Sequence, residues 1–237
     1  MDHEKYKKKA KAELYKNYFT RMHSSEKNLK FTSTKILNNE ILNFFKKNNK
    51  MHILDAGCGD GLLMDSAKKM GLKCEGFDTN DDLLDVCRKK GFKVKFGDLT
   101  KKLPYSNNVF DGIYCSNVFE HLHEPEFAMY ELLRILKKDG FLIITVPEGT
   151  SNLFYNDWTH VKGFTKKTFT SLMSCFDAKD YKIHRRHFPV LVKYWKNPII
   201  RAINALIKKG PISEVFTYVF ENSTYTLRHD LVIIIRK

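Results

Sequence analysis

From residue 51 onward, short apolar segments alternate with amphipathic ones. The short segments are predicted to be strands, and the amphipathic ones, with apolar residues at helical spacing, are predicted to be helices. The predicted strands are 51–56, 73–77, 92–96, 110–115 and 140–146, and the predicted helices are 61–70, 80–90 and 124–137. This alternation predicts a parallel sheet whose two faces are both covered by helices.

Two glycines follow predicted helices of this alternation. Gly91 comes after helix 80–90, and Gly140 comes shortly after helix 124–137. Because glycine readily adopts the left-handed conformation that commonly ends a helix, we expect a positive φ at both positions.

The segments on either side of the alternation have other patterns. Residues 1–50 are predicted to be helical, because apolar side chains recur there at helical spacing. These side chains are Leu14, Tyr15, Tyr18, Phe19, Ile36, Leu37, Ile41, Leu42 and Phe45. After Pro147 the predicted order is a loop (148–164), a helix (165–175), a strand (179–186) and a final strand (226–236).

This pattern predicts the following domain organisation. Residues 1–50 are expected to be an N-terminal helical cover, and residues 51–237 are expected to be one α/β domain. Within that domain, residues 188–222 are expected to be a late helical insertion that covers the substrate.

Charge is distributed unevenly along the chain. In total, 41 Lys and Arg against 27 Asp and Glu give a formal net charge of +14. Residues 51–150 carry −3, whereas residues 1–50 carry +8 and residues 151–237 carry +9. Basic flanks could attract an anionic acceptor. Lysine supplies 33 of the 41 basic residues, however, and arginine is the more diagnostic phosphate ligand, so compositional drift is the favoured explanation.

Cysteine usage and apolar runs bear on the cellular compartment. Five cysteines without a C-x-x-C pair are typical of buried thiols in a reducing compartment rather than of a disulfide framework or a zinc site. No segment has the roughly 20 consecutive apolar residues of a membrane-spanning helix, and the basic N-terminus lacks the apolar run of a secretory signal. We expect a cytoplasmic protein.

The strongest chemical signal is a glycine-rich turn after the first predicted strand. Residues 57–61 read Gly-Cys-Gly-Asp-Gly, and such a turn lets the backbone approach a ligand while the next helix presents unpaired N–H groups. The third glycine comes one residue earlier than in the dinucleotide pattern G-x-G-x-x-G. Asp55 and Asp60 flank the turn, where they would repel a pyrophosphate but suit a ligand with an ammonium and a sulfonium.

Two further carboxylates follow the next two predicted strands. Asp78 comes about twenty residues after Gly57, where an acidic side chain can accept hydrogen bonds from ribose hydroxyls. Asp98 follows the third strand, where a carboxylate and a backbone N–H could bind the amino edge of adenine. A single aspartate at a strand end is more often a cap or turn former, but aspartates on successive strand ends are not commonplace.

Together these segments resemble the successive motifs of the class I S-adenosylmethionine-dependent methyltransferases. They are most similar to the broad group that contains the ubiquinone and menaquinone biosynthesis methyltransferases. The motifs are Asp55–Gly61, Asp78, Gly97–Leu99, Phe110–Ile113, Glu120–Leu122, and Glu131–Lys137 followed by Gly140. The resemblance covers roughly residues 40–150 and the final strand, and it departs from the family at Asp139, where glycine is usual.

The resemblance implies both a fold and a cofactor. The fold is α/β and Rossmann-like: a doubly wound, mostly parallel sheet of seven strands, with the last strand antiparallel. The cofactor is S-adenosyl-L-methionine, and the protein would be a methyltransferase. The residues expected to bind the cofactor are Asp55, Gly57, Cys58, Gly59, Gly61, Asp78, Thr79, Asp98, Leu99, Ser116, Asn117 and His121.

Transfer from a sulfonium is an in-line displacement, so the protein must mainly align the acceptor and, for an oxygen acceptor, remove a proton. The candidate catalytic residues are Glu120, His121 and His160, in loops expected at the carboxyl edge of the sheet. We assign His160 as the base on the acceptor side. In the family's block around it a proline usually stands where this chain has Trp158.

Other roles for these three residues remain open. They could hold a divalent metal, and His121 could instead order its loop against the cofactor. Metal-dependent RNA 2′-O-methyltransferases have a similar set, with an additional Glu three residues before their Glu-His. Asn117 stands at that position here, so no metal is expected.

The insertion contains a candidate amphipathic helix. Its apolar face, with basic neighbours, favours packing on the core, and peripheral membrane contact through residues 195–209 is the alternative. We expect O-methylation of a small-molecule, glycan or lipid-linked acceptor. The alternatives are RNA 2′-O-methylation, with nucleic acid as the less favoured partner, and a non-catalytic cofactor-binding subunit.

Overall fold

A computed structural model of the protein describes residues 29–176, 180–187 and 229–237, together with Ala10, Glu13 and Leu14, which are helical. The predicted insertion at 188–222, including the amphipathic segment at 195–209, lies outside the described residues. Most of the first predicted N-terminal helix lies outside them too. The division of the chain at residue 50 stays a prediction.

Helices and strands alternate along the described chain in the predicted order. They are α1 (Leu29–Lys47), β1 (His52–Ala56), α2 (Leu62–Lys69), β2 (Lys73–Asp78), α3 (Asp81–Lys89), β3 (Lys93–Phe96), β4 (Phe110–Ser116), α4 (Pro125–Ile135), β5 (Leu136–Pro147), α5 (Lys166–Met173), β6 (Tyr181–His187) and β7 (His229–Arg236). Two short 3₁₀ helices lie at Phe119–His121 and Asn152–Asn156. In the described ranges no helix combines the length and apolarity needed to cross a bilayer.

The seven strands form one sheet in the order β3-β2-β1-β4-β5-β7-β6. Strands β1 to β5 pair in parallel, whereas β7 is antiparallel to both of its neighbours. The doubly wound, mostly parallel sheet with an antiparallel last strand is therefore confirmed. The chain order reverses between β1 and β4, and ligands bind at such a switch point in sheets of this type.

Alternating residues of the central strands fill two cores, one on each face of the sheet. On one face Leu54, Ile113 and Ile144 pack with α4 and α5. On the other face the adjacent residues of the same strands, Ile53, Tyr114 and Ile143, pack with α1 and α2. Strands that are buried on both faces explain why the sequence shows apolar runs rather than alternation.

Helix α1 is fixed to the sheet by Phe45. This side chain is fully buried together with Leu42, and its ring lies on β4 where Gly112 leaves room. A Cβ placed on Gly112 would come within 2.6 Å of the Phe45 ring. Phe44 also packs edge-on to Phe141 of β5, with ring centroids 5.1 Å apart.

The predicted positive φ at Gly140 is wrong. Gly91 has the predicted positive φ of 77°, but after α4 the left-handed residue is Asp139, with φ 60°. Helix α4 ends at Ile135 and β5 begins at once, so Gly140 already lies inside the strand. It has no room for a side chain there, because a Cβ would lie 2.8 Å from the Lys137 carbonyl oxygen. The Asp139 carboxylate accepts a 2.9 Å hydrogen bond from Arg236, an ion pair that glycine would not provide.

We expect Phe45→Ala to destabilise the whole domain, because it leaves a cavity between α1 and the sheet. The free energy of unfolding in urea should fall by about 3–5 kcal/mol. Ile36→Ala, on the exposed side of the same helix, is the matched control and should change it by about 0.5 kcal/mol at most. Equal effects of the two substitutions would mean that α1 does not belong to the core.

Candidate active site

The candidate site lies at the carboxyl ends of β1 and β4, which are neighbours at the switch point of the sheet. From there the chain leaves β1 toward β2 and leaves β4 toward β5, so a crevice opens between the two loops. Asp55 is the last but one residue of β1, and Ser116 is the last residue of β4. The predicted cofactor residues near these two strand ends are therefore brought together.

The turn at 57–61 is held tightly against β2. Its three glycines all have positive φ, at 81°, 51° and 83°, which side chains rarely tolerate. The amides of Gly57 and Cys58 both donate to the Phe77 carbonyl oxygen, each at 2.9 Å. Helix α2 begins directly after Gly61, so its first N–H groups face the crevice side of the turn.

Asp78 is oriented by two backbone amides. Gly59 N–H donates to its Oδ2 and Asn80 N–H donates to its Oδ1, both at 2.9 Å. Each carboxylate oxygen keeps a further lone pair, which suits a pair of vicinal ribose hydroxyls. Asn80 also caps α3 by accepting from Asp82 N–H at 3.1 Å. Sequence reasoning missed this cap, although Asn before a helix is a common signal. Thr79 lies exposed between Asp78 and Asn80.

Asp55 is a buried carboxyl group in an acidic neighbourhood. Only 5% of the residue is exposed. Burial raises the pKa of Asp55 well above its usual range, and the charges of Asp78, Cys87 and Asp60 raise it further. A cationic ligand would offset the repulsion among these acidic groups, whereas a pyrophosphate would add to it. The residues present therefore fit a donor that carries an ammonium and a sulfonium.

Asp98 is engaged in its own turn. Its Oδ1 accepts from the Thr100 amide at 2.9 Å and from the Thr100 hydroxyl at 2.8 Å. Partial burial raises the pKa of Asp98, but the hydrogen bonds from Thr100 and the charge of Lys101 outweigh this and lower it. These contacts are those of a turn former. Binding of adenine by Asp98, next to the buried Leu99, stays a prediction.

The loop after β4 touches the glycine turn. Asn117 adopts a positive φ of 53°, its amide donates to the Thr145 carbonyl oxygen at 2.8 Å, and Ser116 Oγ accepts from Thr145 at 2.8 Å. The loop then turns so that Val118 packs on Gly57, where a Cβ would lie 2.6 Å from Val118 Cγ2. The loop after β4 and the glycine turn are thus in direct contact.

The loop at 148–164 folds back on the short helix Phe119–His121. At its base Gly149 N–H donates to the Phe164 carbonyl oxygen at 2.7 Å. Near its end the amides of Val161 and Lys162 both donate to the Glu120 carbonyl oxygen, at 2.8 and 3.1 Å. The structure therefore brings His160 next to Glu120 and His121, as predicted from their positions after separate strands. The ring centroids of the two histidines are 4.9 Å apart.

The partners of the two rings fix their tautomers. His160 Nδ1 lies 2.7 Å from the Phe154 carbonyl oxygen, and His121 Nδ1 lies 3.2 Å from the Thr159 carbonyl oxygen. Because a carbonyl oxygen only accepts, both Nδ1 atoms carry hydrogen. In the neutral rings each Nε2 therefore holds a lone pair.

The resulting cluster can act as a base or as a metal ligand set. His160 Nε2 lies 3.6 Å from Asp157 Oδ2 and 4.0 Å from Glu120 Oε1. Glu120, His121 and His160 each offer a ligand atom, and these atoms lie within 4.8 Å of one another. Burial lowers the pKa of His121 and the charge of His160 lowers it further, against the opposing effects of the Thr159 hydrogen bond and the charge of Asp157.

Two supporting residues were not assigned a role from the sequence. The Thr159 hydroxyl donates to Asp157 Oδ1 at 2.5 Å and so can accept from His121 Nδ1, 3.0 Å away. Asp157 Oδ1 also accepts from Thr159 N–H at 2.9 Å. An aspartate two residues before a threonine is a turn signal that could have indicated this. Trp158, in the place of the family's usual proline, is 62% exposed and does not prevent the turn.

Comparisons with known proteins agree with this geometry. The sequence profile of the methyltransferase domain family matches residues 54–144. An uncharacterized protein of Methanocaldococcus jannaschii is 31% identical over 189 residues, which cover 71% of this chain and 78% of that protein. A S-adenosylmethionine-dependent methyltransferase from Archaeoglobus fulgidus has a similar structure, with a TM-score of 0.60 and 23% identity. The match covers 84% of this chain and 94% of that one.

Two relatives with named activities match over shorter stretches. The ubiquinone biosynthesis O-methyltransferase of Actinobacillus pleuropneumoniae is 30% identical over 108 residues, 41% of this chain and 46% of that protein. The tRNA (carboxymethyluridine(34)-5-O)-methyltransferase of Arabidopsis thaliana is 36% identical over 118 residues, 45% of this chain and 27% of that protein. The chain thus spans less than half the length of either relative.

We expect Asp78→Asn to weaken binding of S-adenosylmethionine, because an amide replaces one charged acceptor at the ribose position. Isothermal titration should give an affinity lower by about tenfold to a hundredfold. Asp81→Asn, on the exposed first turn of α3, is the control and should leave the affinity unchanged. If both variants bind equally well, Asp78 is not the ribose partner.

Donor binding should also depend on pH through Asp55. A bound cation favours the ionised carboxylate, so binding lowers the raised pKa of Asp55. The affinity for the donor should therefore be highest at pH values above the raised pKa of Asp55, and it should fall as the pH drops through that pKa. Titrations across a pH series test this, with Asp55→Asn as the variant that should lose the dependence. A wild-type affinity that does not change with pH would contradict the role of Asp55.

Proposed function

Because the chain belongs to the class I S-adenosylmethionine-dependent methyltransferases, we propose that it O-methylates a small-molecule, glycan or lipid-linked acceptor, with His160 as the base. S-adenosylmethionine is its cofactor.

The observation that carries the proposal is the orientation of His160. Its Nδ1–H donates to the Phe154 carbonyl oxygen, so Nε2 is the basic nitrogen of the neutral ring. Two carboxylates, Asp157 and Glu120, face that same nitrogen at 3.6 and 4.0 Å. They would stabilise the imidazolium that forms when the ring accepts a proton. The ring of Phe154, tilted by 37° with its centroid 4.7 Å away, packs against the imidazole and limits its rotation.

The residues divide between the two sides of the reaction. The donor supplies a methyl group on a positively charged sulfur. On its side, the turn at 57–61 and Asp78 would hold the adenosyl part, and Asp55 would face the ammonium. On the other side, His160 would take the proton of the acceptor hydroxyl as its oxygen bonds to the methyl carbon and the carbon–sulfur bond breaks. The loop contact of Val118 with Gly57 would set the distance between the two sides.

The charge of the crevice supports an acceptor without a phosphate backbone. Asp55 and Asp78 lie beside the glycine turn, and Glu120 and Asp157 face His160. In their ionised forms these groups would repel closely spaced phosphates. The ubiquinone relative favours a small or lipid-linked acceptor, whereas the tRNA relative favours the RNA alternative. The carboxylates of this chain lead us to prefer the first.

A divalent metal is the second candidate role for the same cluster. Two imidazole nitrogens and one carboxylate form a donor set that suits several divalent metals. In this case Glu120, His121 and His160 would hold the ion and orient an acceptor oxygen on it. The base role needs only His160, so the two roles predict different responses to a chelator.

We expect His160→Ala to lower the rate of methyl transfer by about a hundredfold to ten-thousandfold, the usual contribution of a general base. Donor affinity should stay unchanged, because His160 lies on the acceptor side. The measurement is transfer of a labelled methyl group into fractionated cell extract. The control is His123→Ala, an exposed histidine just after the short helix Phe119–His121. Transfer by His160→Ala at the wild-type rate would rule out the base.

Two additions to the assay separate the alternatives. Dialysis against EDTA should leave the rate unchanged if His160 is a simple base, whereas a loss that Mg²⁺ or Mn²⁺ restores would favour the metal role. If the labelled acceptor is RNA, digestion with ribonuclease should release the label. Binding of an RNA acceptor should also weaken steeply with added salt.

A further inference from the structure

Two cysteine thiols meet at one carbonyl of the glycine turn. Cys58 lies within the turn and Cys87 lies in the last turn of α3. The Gly59 carbonyl oxygen is 3.3 Å from Cys87 Sγ and 3.9 Å from Cys58 Sγ. Two thiols that donate toward the same oxygen are close neighbours, although 28 residues separate Cys87 from Gly59.

The surrounding glycines make room for the two sulfur atoms. A Cβ on Gly76 would lie 2.9 Å from Cys58 Sγ, and a Cβ on Gly61 would lie 3.0 Å from Cys87 Sγ. Both cysteines belong to a small apolar cluster with Met64 and Leu84. The turn, β2 and α3 thus enclose the pair directly beneath the donor site.

We propose that Cys58 and Cys87 are a reversible modification site: hydrogen peroxide converts them to a disulfide in the donor-free protein, and the disulfide weakens donor binding. The proposal rests on binding of S-adenosylmethionine and is independent of the acceptor and of His160.

The chemistry needs one peroxide molecule per disulfide. The Cys87 thiolate attacks one peroxide oxygen, the O–O bond breaks, and the departing hydroxide takes up a proton to become water. The sulfenic acid formed at Cys87 is then attacked by Cys58, which gives up its proton. The sulfur–sulfur bond forms, and the sulfenic oxygen leaves as a second water. Two thiols are oxidised and one peroxide is reduced to two waters.

The pair is chemically distinct from the other cysteines. Hydrogen bonding from Cys58 lowers the pKa of Cys87, burial opposes this, and the charge of Lys90 lowers it further. The same contact raises the pKa of Cys58. Burial raises the pKa values of Cys74 and Cys115. The direction of these shifts favours Cys87 as the sulfur that reacts first, with Cys58 as the resolving thiol beside it. Because both cysteines are buried, peroxide would reach them when the turn opens in the donor-free protein.

The disulfide would act on the donor through one residue, Gly59. Gly59 accepts from the Cys87 thiol through its carbonyl and donates to Asp78 through its amide. A disulfide removes the thiol hydrogen and draws the turn toward α3, since bonded sulfur atoms lie about 2.05 Å apart. The Gly59 amide would then move away from Asp78, which is the proposed ribose partner. By reciprocity, bound donor should protect the two thiols.

The test begins with reduced protein, whose affinity for S-adenosylmethionine is measured by isothermal titration. Protein is then treated with hydrogen peroxide, with and without donor, the remaining thiols are alkylated, and the disulfides are mapped by mass spectrometry. Digestion must include cleavage after Glu75, because trypsin leaves Cys74 and Cys87 in one peptide, residues 74–88. The variants are Cys87→Ser, which keeps a donor for the Gly59 carbonyl, and Cys175→Ser, which removes the exposed cysteine as a control.

We expect a Cys58–Cys87 disulfide in wild type and in Cys175→Ser, an affinity about tenfold lower or more, and recovery with dithiothreitol. Donor should slow its formation, and Cys87→Ser should bind donor equally before and after peroxide. The proposal is overturned if peroxide leaves this pair reduced while it oxidises Cys175, or if the disulfide forms without loss of affinity. Reduced wild type that binds no donor would instead contradict the donor site itself, whatever the disulfide map shows.

Discussion

The site depends above all on how closely the turn at 57–61 lies against its neighbours. One carbonyl of β2, at Phe77, accepts both of the first two amides of the turn, and a side chain at residue 57 would collide with Val118. Bulk at this point would push the turn away from the loop after β4. The donor and acceptor sides of the crevice would then separate, and in-line transfer tolerates little such movement. In the proposed reaction the turn would therefore be a spacer between the two reacting groups as well as the binding site of the donor.

Neighbouring aspartates acquire different properties from their surroundings. Asp78 accepts two backbone amides, so its charge is balanced before any ligand arrives. Asp55, one strand away, is buried among acidic groups that hold its pKa high. The same side chain is thus a fixed hydrogen-bond acceptor in one place and a carboxyl group with a raised pKa in the other. A bound cation would favour the ionised form of Asp55, which fits a sulfonium donor better than a dinucleotide.

The fold was largely predictable because its signals are local. Apolar runs and helical spacing located the described strands and helices, and the turn at 57–61 located the cofactor side. The errors arose where a distant contact decides the conformation. Asp139 takes the left-handed position expected of Gly140 because Arg236, on the last strand, pairs with it. Thr159 and Asp157 orient His121 from a different loop, so their role depends on a meeting of segments that spacing along the chain does not reveal.

The acceptor side is built differently from the donor side. The donor residues end strands that are fixed on both sides by their neighbours, whereas His160 lies in a long loop closed by the contact of Gly149 with Phe164. The orientation of His160 comes from Phe154 within that same loop. The loop is tied to the short helix Phe119–His121 by the backbone bonds to Glu120 and by the contacts of Thr159 with His121. Substitutions in the loop can therefore change which atom faces the methyl group without disturbing the strands that hold the donor. We therefore expect the determinants of acceptor choice outside the glycine turn, in residues 148–164 and in the predicted cover at 188–222.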